Sequence, residues 1–114
     1  MNQNDEKNRD IPKLCDTHIL GNFREKRAQN FIIKKWKWKC FKSNKSLDQF
    51  HDIDLVAWND EQLAFIQVKS LKMINKLMPS NKAITFAKQH QALLYYVFVG
   101  EENERIYIKR IEWE

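Results

Sequence analysis

Three polar side chains stand at the ends of two apolar stretches and could together act on a phosphodiester. Asp54 precedes the apolar residues 55–58, and Gln67 and Lys69 close the stretch 63–70. Hydrolysis of a phosphodiester is helped by a metal ion that withdraws charge from the phosphate oxygens and lowers the pKa of an attacking water. Mg²⁺ prefers hard oxygen ligands, commonly one or two carboxylates with water. An amine close by stabilises the developing negative charge.

The two apolar stretches predict a β-hairpin. Residues 51–58 and 63–70 flank four polar residues, a length that suits a tight connection between antiparallel strands. Period-2 alternation then places Asp54, Gln67 and Lys69 on one face, and the backbone carbonyl of Val68 could add a further ligand. A slip of one residue would move Asp54 to the other face. The pairs expected across the turn are Trp58/Leu63, Val56/Phe65 and Asp54/Gln67.

A helix before the hairpin carries a second acid. From residue 16 or 17 onward, apolar side chains recur at three- and four-residue steps, and Glu25 lies on or beside this stripe. A helix packed on the sheet would bring Glu25 toward Asp54. The alternative is a structural one, in which Glu25 is a capping carboxylate near the helix start, partnered with Asn22.

The remaining pattern predicts a mixed α/β domain, with a β-sheet flanked by helices. The order is helix, strand, strand, strand, helix, strand, strand. Ser80 is a suitable N-cap for the second helix. The other predicted elements are a strand at 35–42 with Trp36, Trp38 and Cys40 on one face, a polar loop at 43–49, a helix at 82–93, a strand at 95–99 and an edge strand at 105–111.

Length and composition predict one domain over residues 16–114, preceded by a disordered or extended polar tail at 1–15. The net charge of +5 and the pI near 9.3 suit an anionic partner, although solubility alone explains them equally well. No apolar run approaches the roughly 20 residues of a membrane span, so no membrane partner is expected. Two cysteines and no signal peptide favour a reducing, cytoplasmic setting.

Several rival interpretations concern the same residues. Asp54 could be an ordinary acid at a strand start, and Lys69 could extend along the end of its strand toward water. Asp52 competes with Asp54 for a metal, but only Asp54 begins the apolar run. Two glycines are too few for a Walker or Rossmann phosphate loop, whose spacings are absent. The cysteines and His18 do not form a zinc pattern.

The motifs Glu25-Lys26-Arg27-Ala28, residues 52–57 and Gln67-Val68-Lys69 resemble those of the PD-(D/E)XK nuclease superfamily. The element order is most similar to the small archaeal-type Holliday junction resolvases, with a restriction-endonuclease-like fold. Gln67 stands where the superfamily usually has Glu, as in the Gln-x-Lys motif of Mrr-type nucleases. The amide removes one negative charge, which should weaken metal binding.

The resemblance implies a Mg²⁺-dependent DNA endonuclease, selective for structures such as four-way junctions and used in DNA recombination and repair, with Mn²⁺ able to substitute. It implies a homodimer, since symmetric cutting of a junction needs two sites. The location would be cytoplasmic, on the nucleoid or in a virus- or phage-infected cell. The expected catalytic residues are Glu25, Asp54, Gln67 and Lys69, the metal ligands are Glu25, Asp54, Gln67 and Val68, and the DNA-binding residues are Arg24, Arg27, Ser70, Lys72 and Lys88.

Two other functions remain open, because Gln67 replaces an expected acid. The chain could be a catalytically inactive module that binds nucleic acid, or an assembly subunit that retains the nuclease fold. Cleavage of a branched DNA would distinguish the endonuclease from both alternatives. Binding of nucleic acid at low salt would distinguish the inactive binding module from the assembly subunit.

Overall fold

The computed structural model describes residues 17–76, 80–101 and 105–113, with side chains from residue 20 onward. The helices are α1 (Thr17–Phe31), α2 (Lys45–His51) and α3 (Asn81–Gln89), with a π-helical turn at Ile32–Trp36 and a 3₁₀ turn at Leu71–Met73. The strands are β1 (Lys39–Lys42), β2 (Leu55–Trp58), β3 (Leu63–Ser70), β4 (Leu93–Val99) and β5 (Ile106–Ile111). The predicted tail at 1–15 lies outside these ranges.

The described strands form a five-stranded mixed sheet in the order β1-β2-β3-β4-β5. Strands β3 and β4 are parallel and the other neighbours are antiparallel. The parallel pair requires a crossover, which contains α3. The predicted α/β class and the flanking helices are therefore confirmed. In the described part of the chain, no helix is both long and apolar enough to cross a membrane.

The sheet has a hydrophobic core on each face, because β3 and β4 are apolar on both sides. The α1-side cluster includes Ala28, Ile32, Leu55, Ile66, Val68 and Val97. The α3-side cluster includes Phe65, Ala83, Ala87, Leu94, Tyr96 and Phe98. The small residues Ala28, Ala83 and Ala87 are fully buried. Their size lets each helix lie close to the sheet.

The predicted hairpin has the expected register over most of its length. Trp58 pairs with Leu63 and Val56 with Phe65. The side chain of Asn59 accepts the backbone N–H groups of Glu61 and Gln62, at 2.8 and 2.7 Å, which closes the turn. The ladder ends at Leu55–Ile66, so the third expected pair, Asp54 with Gln67, is not part of it.

The strand predicted at 35–42 begins only at Lys39, because the π-helical turn prolongs α1 to Trp36. The Trp36 ring packs edge-on against Trp38 at 5.3 Å and against Tyr95 at 5.1 Å. Lys37 then takes a left-handed conformation with φ 62°, which ends the helical path. Tertiary packing of a large ring thus overrides the alternating pattern.

The loop predicted at 43–49 is wrong, since α2 occupies most of it. Asn44 caps this helix by accepting the N–H of Leu47 at 2.9 Å. Asp52, with φ 57°, ends it in the left-handed conformation. Glu25 lies in the middle of α1, eight residues after Thr17, so its alternative role as a capping carboxylate is also wrong.

Helix α3 starts where expected and ends earlier than expected. Ser80 accepts the N–H of Ala83 at 3.3 Å, so the predicted N-cap is confirmed. The helix ends at Gln89, because Gln91 has φ 52° and the N–H of Ala92 bonds the carbonyl of Ala87 at 2.9 Å. This is a Schellman-type ending, and it frees Leu93 to begin β4.

The left-handed Gln91 gives a stability prediction. Gln91→Gly should raise the free energy of unfolding by about 0.5–1 kcal/mol, because glycine adopts positive φ without a Cβ clash. Gln91→Val should lower it by about 1 kcal/mol, since a β-branched residue is strained there. Urea denaturation of both variants measures the difference. A Gly variant less stable than the Val variant would contradict the assigned helix ending.

Candidate active site

Asp54 is fixed between two strands, one residue before β2. Its backbone N–H donates to the carbonyl of Ile66 and its carbonyl accepts the N–H of Ser43, both at 2.9 Å. Its carboxylate Oδ2 accepts the N–H of Val68 at 2.7 Å. These three bonds hold the carboxyl group at the end of the hairpin, where the ladder between β2 and β3 stops.

The environment of Asp54 favours its protonated form. Burial raises the pKa of Asp54 from 3.8 to about 8, assisted by a side-chain hydrogen bond with Asp48 and by the negative charges of Glu25 and Asp48. The N–H of Val68 opposes this rise only in part. Burial and the neighbouring acids thus outweigh this hydrogen bond, and Asp54 holds its proton more tightly than an exposed carboxyl does.

Glu25 and Asp54 line the same cavity, of about 760 Å³, next to α1 and α2. Glu25 faces it from the middle of α1, and its Oε1 lies 3.5 Å from Nζ of Lys42. Lys42 also donates to Oδ1 of Asn22 at 2.8 Å. The structure thus brings together the two acids that the sequence singled out.

Asp48 is a third acid of this cavity, and sequence reasoning missed it. It lies in the first turn of α2, the helix that was predicted to be a loop. A signal was present, because Asn44 is a favoured N-cap and an acid in the first turn complements the helix dipole. Lys45 of the same turn also lines the cavity.

Gln67 and Lys69 do not line the cavity. They alternate along β3 with Val68, which packs in the α1-side cluster, so they point to the opposite face of the sheet. There they lie in register with Tyr96 and Phe98 of β4. The expected shared face with Asp54 is interrupted, because the ladder ends before Asp54 is reached.

Gln67 has an unusual environment for an amide. Only 6% of the residue is exposed. Its Oε1 atom has no hydrogen-bond partner among the described residues. A buried polar atom without a partner is costly, at about 1–3 kcal/mol. Such an atom is suited to accept a bond from a group that the polypeptide does not supply.

The donors at this end of the hairpin fit a hard divalent cation. Carboxylate oxygens of Glu25 and Asp54 are the donor types that Mg²⁺ prefers, and the amide oxygen of Gln67 is of a suitable type but lies on the other face of the sheet. Within the described ranges, no three His, Cys, Asp or Glu side chains are arranged to hold a metal by themselves. An ion here would therefore complete its coordination with water and substrate oxygens, as Mg²⁺ commonly does.

Three of the five residues expected to bind DNA converge instead on the end of β4. Nε of Arg24 bonds Oε1 of the buried Glu101 at 2.9 Å. The Arg27 guanidinium donates to the carbonyl of Gly100, and Ser70 donates to Glu101 at 3.3 Å. Burial alone would raise the pKa of Glu101, but the bonds from Arg24 and Ser70 lower it. These residues tie α1 to β3 and β4.

The other two, Lys72 and Lys88, have exposed side chains. Lys42 and Lys45, at the cavity itself, are closer to the acids than sequence reasoning anticipated. Asp52, the competitor of Asp54, does not line the cavity and accepts a bond from Ser80 Oγ at 2.6 Å. Asp52 therefore joins the end of α2 to the start of α3.

Comparisons with known proteins agree with this architecture. No protein-family model matches the chain. A UPF0102 protein of Caldanaerobacter subterraneus subsp. tengcongensis is 28% identical over 101 residues, which cover 88% of this chain and 80% of that protein. The structure of Hjc, a Holliday junction resolvase of Archaeoglobus fulgidus, matches with a TM-score of 0.52 and 18% identity. That match covers 76% of this chain and 71% of Hjc, and it shows that the two share a fold.

The raised pKa of Asp54 predicts a pH dependence of stability without metal. Folded Asp54 keeps its proton up to about pH 8, whereas unfolded Asp54 releases it near pH 4. The free energy of unfolding should therefore fall as the pH rises from about 4 to about 8, by about 2 kcal/mol or more. Calorimetry in EDTA measures this, and Asp54→Asn should flatten the slope. An equal slope in both proteins would contradict the assignment.

Proposed function

We propose that this chain is a metal-dependent DNA endonuclease that hydrolyses phosphodiester bonds and prefers branched DNA such as a four-way junction. The observation that carries the proposal is the placement of Asp54. Its half-buried carboxyl is held on the N–H of Val68 at the end of the hairpin and lines one cavity with Glu25. The resolvase-like fold supports the same function.

Glu25 and Asp54 would hold Mg²⁺, or Mn²⁺ in its place, with the carbonyl of Val68 as a further donor. The amide oxygen of Gln67 would join them after its side chain turns from the other face of the sheet. The bound ion would withdraw charge from the phosphate and lower the pKa of the attacking water. Lys69, two residues beyond Gln67, would orient the water and stabilise developing negative charge. Asp48 would supply, beside Asp54, the negative charge that Gln67 lacks.

Binding of DNA would rest on lysines that the fold leaves available. Lys72 and Lys88 are exposed, and Lys45 lines the cavity. Contacts from such groups to phosphates give affinity without sequence preference, and this affinity falls with salt. Cutting a junction symmetrically needs two sites, which favours a homodimer.

A second candidate is an inactive module that binds nucleic acid or assembles with other proteins. Two observations favour it. Gln67 stands in place of an acid, and neither Gln67 nor Lys69 lines the cavity that holds Glu25 and Asp54. In this case the chain would retain the nuclease-like fold but would not hydrolyse phosphodiester bonds.

Cleavage of DNA decides between the two candidates. We expect the protein with Mg²⁺ to cut a labelled four-way junction, and Asp54→Asn or Lys69→Ala to reduce cutting at least about 100-fold. Junction affinity in Ca²⁺ should stay within about twofold, because the exposed lysines are unchanged. Asp60→Asn removes an exposed acid at the hairpin turn and is the matched control, with full activity expected.

A panel of junction, flap, duplex and single-stranded DNA reports the preferred structure. Binding without cleavage of any of these by the unmodified protein would reject the nuclease and support the inactive module. Full cleavage by Asp54→Asn would place the chemistry elsewhere on the chain.

The role of Gln67 gives a separate prediction. Gln67→Glu should raise Mg²⁺ affinity about tenfold by titration calorimetry, because it adds a charge to an oxygen at the ion. Gln62→Glu adds the same charge in the exposed turn and should leave affinity unchanged. Equal affinities of the two variants, or a loss in Gln67→Glu, would show that the amide is not a ligand.

A further inference from the structure

A second concave surface lies between α2 and α3. We call it the α2–α3 groove. It has a volume of about 380 Å³, within the range of about 300–1,000 Å³ typical of small-ligand sites. Its lining includes Phe50, His51, Asn81, Lys82, Phe86 and Gln89.

Aromatic rings form much of this groove. Phe50 is 63% exposed, more than any other large apolar residue in the described ranges. The His51 ring stacks on Phe86 with centroids 4.0 Å apart and planes 21° from parallel. Phe86 in turn stacks on the buried Phe65 at 5.0 Å, so the core holds these rings in place. The groove therefore offers preformed flat faces together with one exposed ring.

The polar groups around these rings indicate the charge and the hydrogen-bonding groups of a ligand that would fit. Lys82 contributes a positive charge, and Asn81 and Gln89 contribute amide groups that can donate and accept hydrogen bonds. No Asp or Glu is among the described residues that line the groove. A planar ligand attached to an anion, with donors and acceptors on its edge, fits this combination. An unpaired nucleotide has these properties.

The position of the groove relative to the acids agrees with a nucleic-acid strand. Helix α2 separates the two surfaces, because Asp48 lines the carboxylate cavity and Phe50 lines the groove. Two residues along a helix turn the side chain by about 200°, which places these residues on opposite sides. A helix is about 10–12 Å across. A strand that is bound at the carboxylate cavity would therefore have to continue by at least this distance, a few nucleotides, to reach the groove.

We propose that the α2–α3 groove binds an unpaired nucleobase of DNA, stacked on Phe50, with Lys82 contacting the adjoining phosphate. This inference rests on the proposed function only in taking DNA as the ligand. The bound base lies a few nucleotides from the cleaved bond, and the groove gives the protein a preference for DNA with unpaired bases over continuous duplex.

The test measures binding in EDTA, without cleavage. Fluorescence anisotropy compares a labelled oligothymidylate of about 12 nucleotides with a blunt duplex. Phe50→Ala should weaken binding of the single strand about tenfold and leave duplex affinity unchanged, since the lost energy is that of base stacking. Phe50→Trp should restore binding. Tyr107→Ala removes a ring that is 45% exposed on β5, at the far edge of the sheet, and should have no effect.

Lys82 provides a second readout. Lys82→Gln should weaken binding and reduce the slope of log affinity against log salt by about 1, because one phosphate contact is lost. Thermal unfolding of each variant confirms that the fold is intact, as expected for exposed positions.

Two results for Phe50→Ala would contradict binding of a base in the groove. The first is an unchanged affinity for the single strand, and the second is an equal loss of affinity for single strand and duplex. Absence of any binding to the single strand at low salt also overturns it. Failure of the proposed nuclease activity can be distinguished from failure of the proposed base binding. Phe50-dependent binding without cleavage in Mg²⁺ would keep the groove and reject the catalytic proposal.

Discussion

The hydrogen bond from the N–H of Val68 to the carboxylate of Asp54 fixes the site on which the proposed activity depends. It forms where the ladder between β2 and β3 stops, so the carboxyl takes the place of the next backbone partner. The bond holds the half-buried Asp54 near Asp48, where desolvation of its carboxyl raises its pKa to about 8. Stability without metal is thereby lowered at neutral pH, a cost that a cation would offset by replacing the proton of Asp54.

Helix α2 organises both surfaces that bear on function. One side presents Asp48 to the carboxylate cavity, and the other presents Phe50 to the α2–α3 groove. The helix is only seven residues long, and packing and capping hold it rather than its own length. Asn44 caps its start, and Asp52 at its end bonds Ser80, the N-cap of α3. The positions of the acid and of the aromatic ring are thus coupled through one short element.

The sequence was sufficient to predict local structure where the spacing of apolar or capping residues indicates it directly. Alternation in 51–58 and 63–70 predicted the register of Val56 with Phe65, and the serine before α3 predicted its cap. The sequence was insufficient where contacts between distant residues decide. Arg24 bonds Glu101, which lies 77 residues away in the sequence, so its structural role could not be predicted from neighbouring residues. The end of the ladder at Leu55 depends on the bond from Val68, which alternation does not encode.

A crystal structure with Mn²⁺ tests the central claim most directly, through the anomalous signal of the ion. We expect a peak about 2.2 Å from the carboxylate of Asp54, with Glu25 facing the same ion. Asp54→Asn should abolish the peak. A well-ordered structure at saturating Mn²⁺ with no peak in the cavity of Glu25 and Asp54 would contradict this metal site.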